Sequence, residues 1–160
     1  MAQPFSLERL QEERRVWRRD HPVGFSARPK HLKNGDIDLY NWECIIPGKP
    51  GTSWEGGYLH LTLAFPELFP SQAPVAMFTP VIPHINVFAS GRVCLSILTD
   101  GWKPSITLRQ ILIGIQNLLD SPNPKSPAHE ANYNLYMADR SAYEKAIREF
   151  CRKNCKADFD

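Results

Sequence analysis

Between Pro83 and Leu98 the chain places an imidazole, an amide, a guanidinium and a thiol within one short segment, Pro-His-Ile-Asn-Val-Phe-Ala-Ser-Gly-Arg-Val-Cys-Leu-Ser-Ile-Leu. His84 and Asn86 stand two residues apart, and a Ser90-Gly91 pair separates them from Cys94, which opens an apolar run. Glycine accepts backbone angles closed to other residues, so the chain is expected to bend at Gly91 and to present Cys94 from a loop. A cysteine nucleophile reacts as its thiolate and usually has a base or a cation beside it. The nearby candidates are His84, ten residues upstream, and Arg92, two residues before the thiol. By residue type alone three readings stand: a cysteine hydrolase, a redox cysteine, or a packed core thiol, since free cysteine is among the most buried residue types.

The segment resembles the active-site segment of the ubiquitin-conjugating enzyme superfamily, in which a His-Pro-Asn motif precedes a thioester-forming cysteine. Here the motif reads His84-Ile85-Asn86. The likeness continues through Cys94-Leu-Ser-Ile-Leu and Trp102-Lys103-Pro104-Ser105-Ile106-Thr107, and upstream through Trp42-Glu43-Cys44, Pro47-Gly48-Lys49 and Trp54-Glu55-Gly56-Gly57. Arg18-Arg19-Asp20-His21-Pro22-Val23-Gly24-Phe25 is similar to the SUMO-conjugating branch in particular, and the resemblance spans about Leu7 to about Cys151. It implies an α+β fold, with an N-terminal helix, a four-stranded antiparallel meander packed against helices, and further helices at the C-terminal end. One catalytic core domain over residues 1–160 is expected.

The function that the resemblance implies is SUMO conjugation. Cys94 would accept the SUMO carboxyl from an activating enzyme as a thioester, and a substrate lysine amine would then attack to form an isopeptide bond. That chemistry needs an uncharged amine and a stabilised oxyanion, and it is harmed by a strong general base that would activate water. Asn86 matches the family asparagine, which either donates to the oxyanion or holds the loop. His84 is expected to order the loop by hydrogen bonding, with Phe88 and Ser126 as further active-site support and Ser90 and Arg92 contacting substrate. Arg14, Arg15, Arg18, Arg19 and His21 match basic positions that contact the activating enzyme and hold a second SUMO non-covalently. SUMO ligases and lysine-bearing substrate proteins complete the implied partners. No cofactor, metal, nucleic acid or membrane is implied, and the expected location is nucleus and cytoplasm.

Departures from the branch are specific. Ile85 replaces a proline and so removes a conformational lock. Ser126 stands where an aspartate is common, Phe88 where a tyrosine is usual, and Val75 and Met77 where the branch carries basic side chains that read an acid two residues after the target lysine. Arg92 is the candidate to supply that charge instead. The step from Cys94 to Trp102 is two residues shorter than usual in the branch, which leaves ubiquitin conjugation open. A non-catalytic binding scaffold is the third reading, and the retained Cys94 and Asn86 argue against it.

The elements that must position these residues follow from composition and periodicity. At 160 residues, 42% hydrophobic and 11% aromatic, the chain can bury a sizeable core, and its net charge of +2 is too small to imply a nucleic-acid binder. No signal-peptide core is present, and Cys44, Cys94, Cys151 and Cys155 lack zinc spacing and read as reduced. A first helix is expected from a Ser6 N-cap to about Arg19, with Leu7, Leu10 and Trp17 on one stripe. Its like-charge pairs Arg14/Arg18 and Arg15/Arg19 do not stabilise a helix and point to docking. Strands are expected over 24–28, 37–46, 58–65 and 75–78, with Asn34-Gly35 as a turn. A Thr107/Gln110 capping box opens an apolar helix ended by Pro122 and Pro124. A further helix is expected from a Ser126 N-cap with Pro127 as its first residue, and a last one from a Ser141/Glu144 box with Tyr143, Ile147 and Phe150 inward.

Overall fold

Leu59, Leu61, Leu63 and Phe65 are buried while Tyr58, His60 and Thr62 between them are half-exposed, the alternation of a strand with one face on a core. The computed structural model describes residues 4–159, so residues 1–3 and 160 of the expected domain lie outside the described residues. Its elements are α1 (Phe5–Arg19), β1 (Ser26–His31), β2 (Ile37–Pro47), β3 (Tyr58–Ala64), β4 (Val75–Phe78), a 3-10 turn (Ser96–Leu98), α2 (Leu108–Asp120), α3 (Glu130–Ala138) and α4 (Arg140–Lys153). The four strands form one antiparallel sheet in the order β1-β2-β3-β4. Register aligns Trp42, Leu63 and Ala76 in one cross-strand row, and Cys44, Leu61 and Phe78 in another. These residues form the inner face.

Helix α2 covers that face. Its Leu108, Ile111, Leu112, Ile115, Leu118 and Leu119 are all buried, and each such side chain contributes about 1.5–3 kcal/mol by leaving water. The capping box is complete: Thr107 Oγ1 accepts from the Gln110 N–H at 3.1 Å, and Gln110 Oε1 accepts from the Thr107 N–H at 2.9 Å. No helix among the described residues is long and apolar enough to cross a membrane.

Three helix starts differ from expectation. Ser6 is not the cap of α1; it lies inside the first turn, buried, sharing a 2.7 Å hydrogen bond with the Tyr40 hydroxyl, and Pro4 precedes the helix without a side-chain cap. Ser126 does not open a helix, because its carbonyl and the neighbouring chain are tied to Asn86; α3 begins at Glu130, where His129 Nδ1 accepts from the Asn132 N–H. Ser141 and Glu144 make no capping box, because Asp139 takes the cap of α4, its Oδ1 accepting from the Ala142 N–H at 3.0 Å. A more strongly accepting carboxylate two residues earlier wins. The first strand also lies further along than expected, at Ser26–His31.

The buried stripe of α1 contains a charge, Glu13, beside Leu10 and Trp17. Its carboxylate accepts from the Leu108 N–H at 2.8 Å and lies 4.0 Å from Arg9, while Arg9 donates to the carbonyls of Pro104 (2.7 Å) and Ile106 (3.0 Å). Helix α1 thus caps the N-terminus of α2 and fixes the segment leading to it. Glu13→Ala should lower stability in urea denaturation by about 1–3 kcal/mol because a buried N–H loses its acceptor, whereas Glu12→Ala, which removes only an exposed ion pair with Arg15, should cost about 1 kcal/mol or less.

Candidate active site

After β4 the chain passes through His84-Ile85-Asn86 and returns through a tight reversal at Ser90-Gly91. The Phe88 N–H donates to the Arg92 carbonyl, the Gly91 N–H to the Phe88 carbonyl, and Ser90 Oγ accepts from the Arg92 N–H at 3.3 Å. Gly91 has φ +95°, and a Cβ there would lie 2.3 Å from the Phe78 carbonyl oxygen, so both conformation and space require glycine. The returning segment meets the edge of β4 at an isolated bridge between Arg92 and Met77, while Val93 bridges back to Val87 within the turn. Cys94 follows, half-buried, and donates its N–H to the Asn86 carbonyl at 2.8 Å.

Asn86 ties this turn to the segment after α2. Its Nδ2 donates to the carbonyls of Asn123 (2.9 Å) and Ser126 (2.8 Å), and its Oδ1 accepts from the Asn123 N–H at 2.8 Å. Both amide protons are therefore used within the fold, which is the loop-holding geometry rather than one with a free donor. Ser126 itself is exposed and contributes its backbone, not its hydroxyl, to Asn86.

His84 is fully buried. Its Nδ1 accepts from the Asn86 N–H at 3.0 Å, which requires that nitrogen to be bare, so Nε2 carries the proton and donates to the Leu118 carbonyl at 2.9 Å. Burial pushes its pKa down from 6.5 to about 4, outweighing the opposing pull of the backbone carbonyls. A depressed imidazole contributes stability fully above about pH 6.5 and loses it as the pH falls toward about 4, because the unfolded chain takes the proton first. Neutral and occupied at both nitrogens, it offers no base.

Ile85, in the place of a proline, is also fully buried. Its N–H, which a proline lacks, donates to the Tyr143 hydroxyl at 3.2 Å, and its carbonyl accepts from the Ala128 N–H at 2.7 Å. The expected loosening of the loop is thus offset by a hydrogen bond from α4, and burial raises the Tyr143 pKa to about 12, keeping the phenol protonated. Asn123 and Tyr143 were not legible as site residues. Only the polar side chain inside Pro122-Asn123-Pro124 could have drawn notice to the first.

The four thiols differ by placement. Cys44 lies in the sheet core, where burial, with a smaller contribution from Glu43, pushes its pKa far up; Cys151 packs against Gly57, and burial raises its pKa to about 11. Cys155 is exposed beyond α4, and Cys94 alone sits in the turn with Asn86. Phe88, 42% exposed, and Arg92, exposed, flank that turn. The basic residues of α1 form a separate surface: Arg14 and Arg18 line a cleft with Arg28 and His31, His21 stacks on Trp17 at 5.1 Å, and Arg15 pairs with Glu12. Arg19 is exposed in the last turn of the same helix. Among the described residues no group of three or more His, Cys, Asp and Glu could hold a metal ion.

A family model described as "Ubiquitin-conjugating enzyme" matches residues 9–151. SUMO-conjugating enzyme SCE1 of Arabidopsis thaliana is 48% identical over 150 residues, 92% of this chain and 94% of its own. Sumo-conjugating enzyme ubc9 of Dictyostelium discoideum is 49% identical over 145 residues, 89% of this chain and 91% of its own. SUMO-conjugating enzyme UBC9 of Caenorhabditis elegans is 48% identical over 143 residues, 88% of this chain and 86% of its own.

The Ile85–Tyr143 contact can be isolated by a double-mutant cycle. Tyr143→Phe should cost about 1–3 kcal/mol in the native chain, where it strands a buried N–H, and far less in an Ile85→Pro background, where no N–H remains. Equal costs in the two backgrounds, measured by denaturation, would show that the hydroxyl does not serve Ile85.

Proposed function

Because the chain belongs to the ubiquitin-conjugating enzyme family, we propose that it carries out the reaction for which these relatives are named, the conjugation of SUMO to proteins. The observation that carries the mechanism is a half-buried thiol pinned through its own N–H to Asn86, beside an imidazole that is neutral and fully engaged. In the first step the Cys94 thiolate attacks the SUMO thioester of an activating enzyme, a new C–S bond forms, and the activating enzyme's thiolate leaves. In the second, an uncharged lysine amine attacks the same carbonyl carbon, the C–N bond forms, the C–S bond to Cys94 breaks, and the amine proton passes to solvent.

The residues around the thiol serve both steps by position. Asn86 holds the turn against 123–126, so it acts on the geometry of the thioester. His84 cannot activate water against the thioester, because its pKa lies far below neutrality and both nitrogens are bonded. Phe88, Ser90 and Arg92 flank the approach of the substrate chain. The cationic face of α1 docks the activating enzyme and a second SUMO by charge, and ligases deliver substrates to the loaded enzyme. The short step from Cys94 to Trp102 favours ubiquitin as the alternative acyl group.

Charging with purified activating systems tests this. Cys94→Ser should trap a SUMO oxyester, Cys44→Ser, Cys151→Ser and Cys155→Ser should still charge, and ubiquitin should load poorly; loading on another cysteine, or of ubiquitin in preference, overturns the assignment. For the docking face, Arg14→Glu with Arg18→Glu should slow charging by about tenfold or more and flatten its salt dependence, with melting temperature little changed, since exposed charges act mainly on encounter. An unchanged charging rate would make that face merely solvated.

A further inference from the structure

Two cysteines that conjugation does not use meet in one cleft. Helix α4 brings Cys151, Arg148 and Arg152 to it, Cys155 follows just beyond the helix, and Glu55 and Gly56 from the connection between β2 and β3 line the same space of about 470 Å³. Cys151 is buried. Its Sγ donates to the Trp54 carbonyl at 3.5 Å, and a Cβ added at Gly57 would lie only 2.6 Å from it. Cys155 is exposed, so the two thiols share a cleft but differ in access. Burial raises the Cys151 pKa to about 11 and keeps that thiol protonated near neutrality, which leaves Cys155 as the one that reacts first.

Spacing allows the pair to close. Residues four apart on a helix have Cα atoms about 6 Å from each other, inside the range of about 4.4–6.8 Å that a disulfide spans. The Asn154 N–H bonds back to the Phe150 and Cys151 carbonyls at 3.0 and 3.2 Å, so helical pairing reaches the residue before Cys155. Asn154, at φ −125° and ψ 67°, then turns the chain off the helical path. Bringing Cys155 over Cys151 asks for rotation at Asn154, at the cost of the 2.8 Å bond that its carbonyl accepts from the Tyr58 N–H. The charge of the cleft selects the oxidant. Arg148 and Arg152 are held only by exposed pairs of 4.0 Å to Glu144 and 3.9 Å to Glu149, and Glu55 is the one carboxylate among the described lining residues. A disulfide that carries carboxylates is favoured there over one that carries amines.

We propose that Cys151 and Cys155 form a redox dithiol oxidised by small anionic disulfides of the glutathione type. The Cys155 thiolate attacks one sulfur of the small disulfide, a mixed disulfide forms, and one small thiolate leaves and takes a proton from solvent. Cys151 then gives its proton to solvent and attacks the Cys155 sulfur, expelling the second small thiol. Two protein thiols and one small disulfide thus become one protein disulfide and two small thiols. The test incubates the full chain with oxidised glutathione over a time course, blocks free thiols with N-ethylmaleimide and digests with trypsin. Cleavage after Arg148, Arg152, Lys153 and Lys156 separates the peptide 149–152 from 154–156. Mass spectrometry should find glutathione first on Cys155 and later the two peptides joined by a disulfide. In Cys151→Ala the adduct on Cys155 should persist, and in Cys155→Ser the folded chain should keep Cys151 reduced. Arg148→Ala with Arg152→Ala should slow the first step about fivefold with oxidised glutathione, but not with cystamine, whose amines are cationic. The proposal is overturned if the joined peptides form only in urea, if Cys151 is modified without Cys155, if Cys155 instead links two copies of the chain, or if loss of the arginines affects both disulfides alike.

Discussion

Three hydrogen bonds converge on the buried side-chain amide of Asn86, and the site depends on them. They join two segments far apart in sequence, the turn that carries Cys94 and the 121–128 connector after α2. A buried primary amide with its protons and its oxygen all paired has little freedom to rotate, because any other orientation leaves polar atoms dry and unbonded. Through its backbone carbonyl the same residue holds the Cys94 N–H. The thiol is therefore placed by a network anchored in the core, not by the loop's own stiffness.

The surrounding elements reinforce that placement. Leu118, at the end of the helix that covers the sheet, accepts the His84 proton, and Tyr143 of α4 receives the Ile85 N–H. At the other end of α2, Arg9 and Glu13 bind the segment 104–108, so the helix whose outer side carries the arginines is coupled by its inner side to the segment that follows the active turn. Reactivity then rests on what is missing near the thiol. A transferase that must pass an acyl group to an amine gains from a site in which the His84 imidazole cannot take a proton from water.

Much of this was legible from the chain. The period-two run at 59–65 and the Thr107/Gln110 box gave β3 and α2 with their buried faces, because both depend on residues close in sequence. The helix starts at Ser6, Ser126 and Ser141 were misplaced because caps compete: a neighbouring proline, histidine or aspartate took each role once the chain was packed. The partners of Asn86 and Ile85 could not be read, since Asn123 and Tyr143 lie 37 and 58 residues away and only the fold brings them in. A charge on an apolar stripe, Glu13 between Leu10 and Trp17, was a visible signal of a buried cap that periodicity alone passes over.

The central claim is that this turn is held by buried, neutral groups and contains no titrating base. Nitrogen NMR of the His84 ring, followed from about pH 8 down to about pH 5 in the free and the thioester-loaded protein, tests it most directly. The account predicts one neutral tautomer throughout, protonated at Nε2 with Nδ1 bare. A ring that titrates between about pH 6 and pH 7, or that carries its proton on Nδ1, would contradict it.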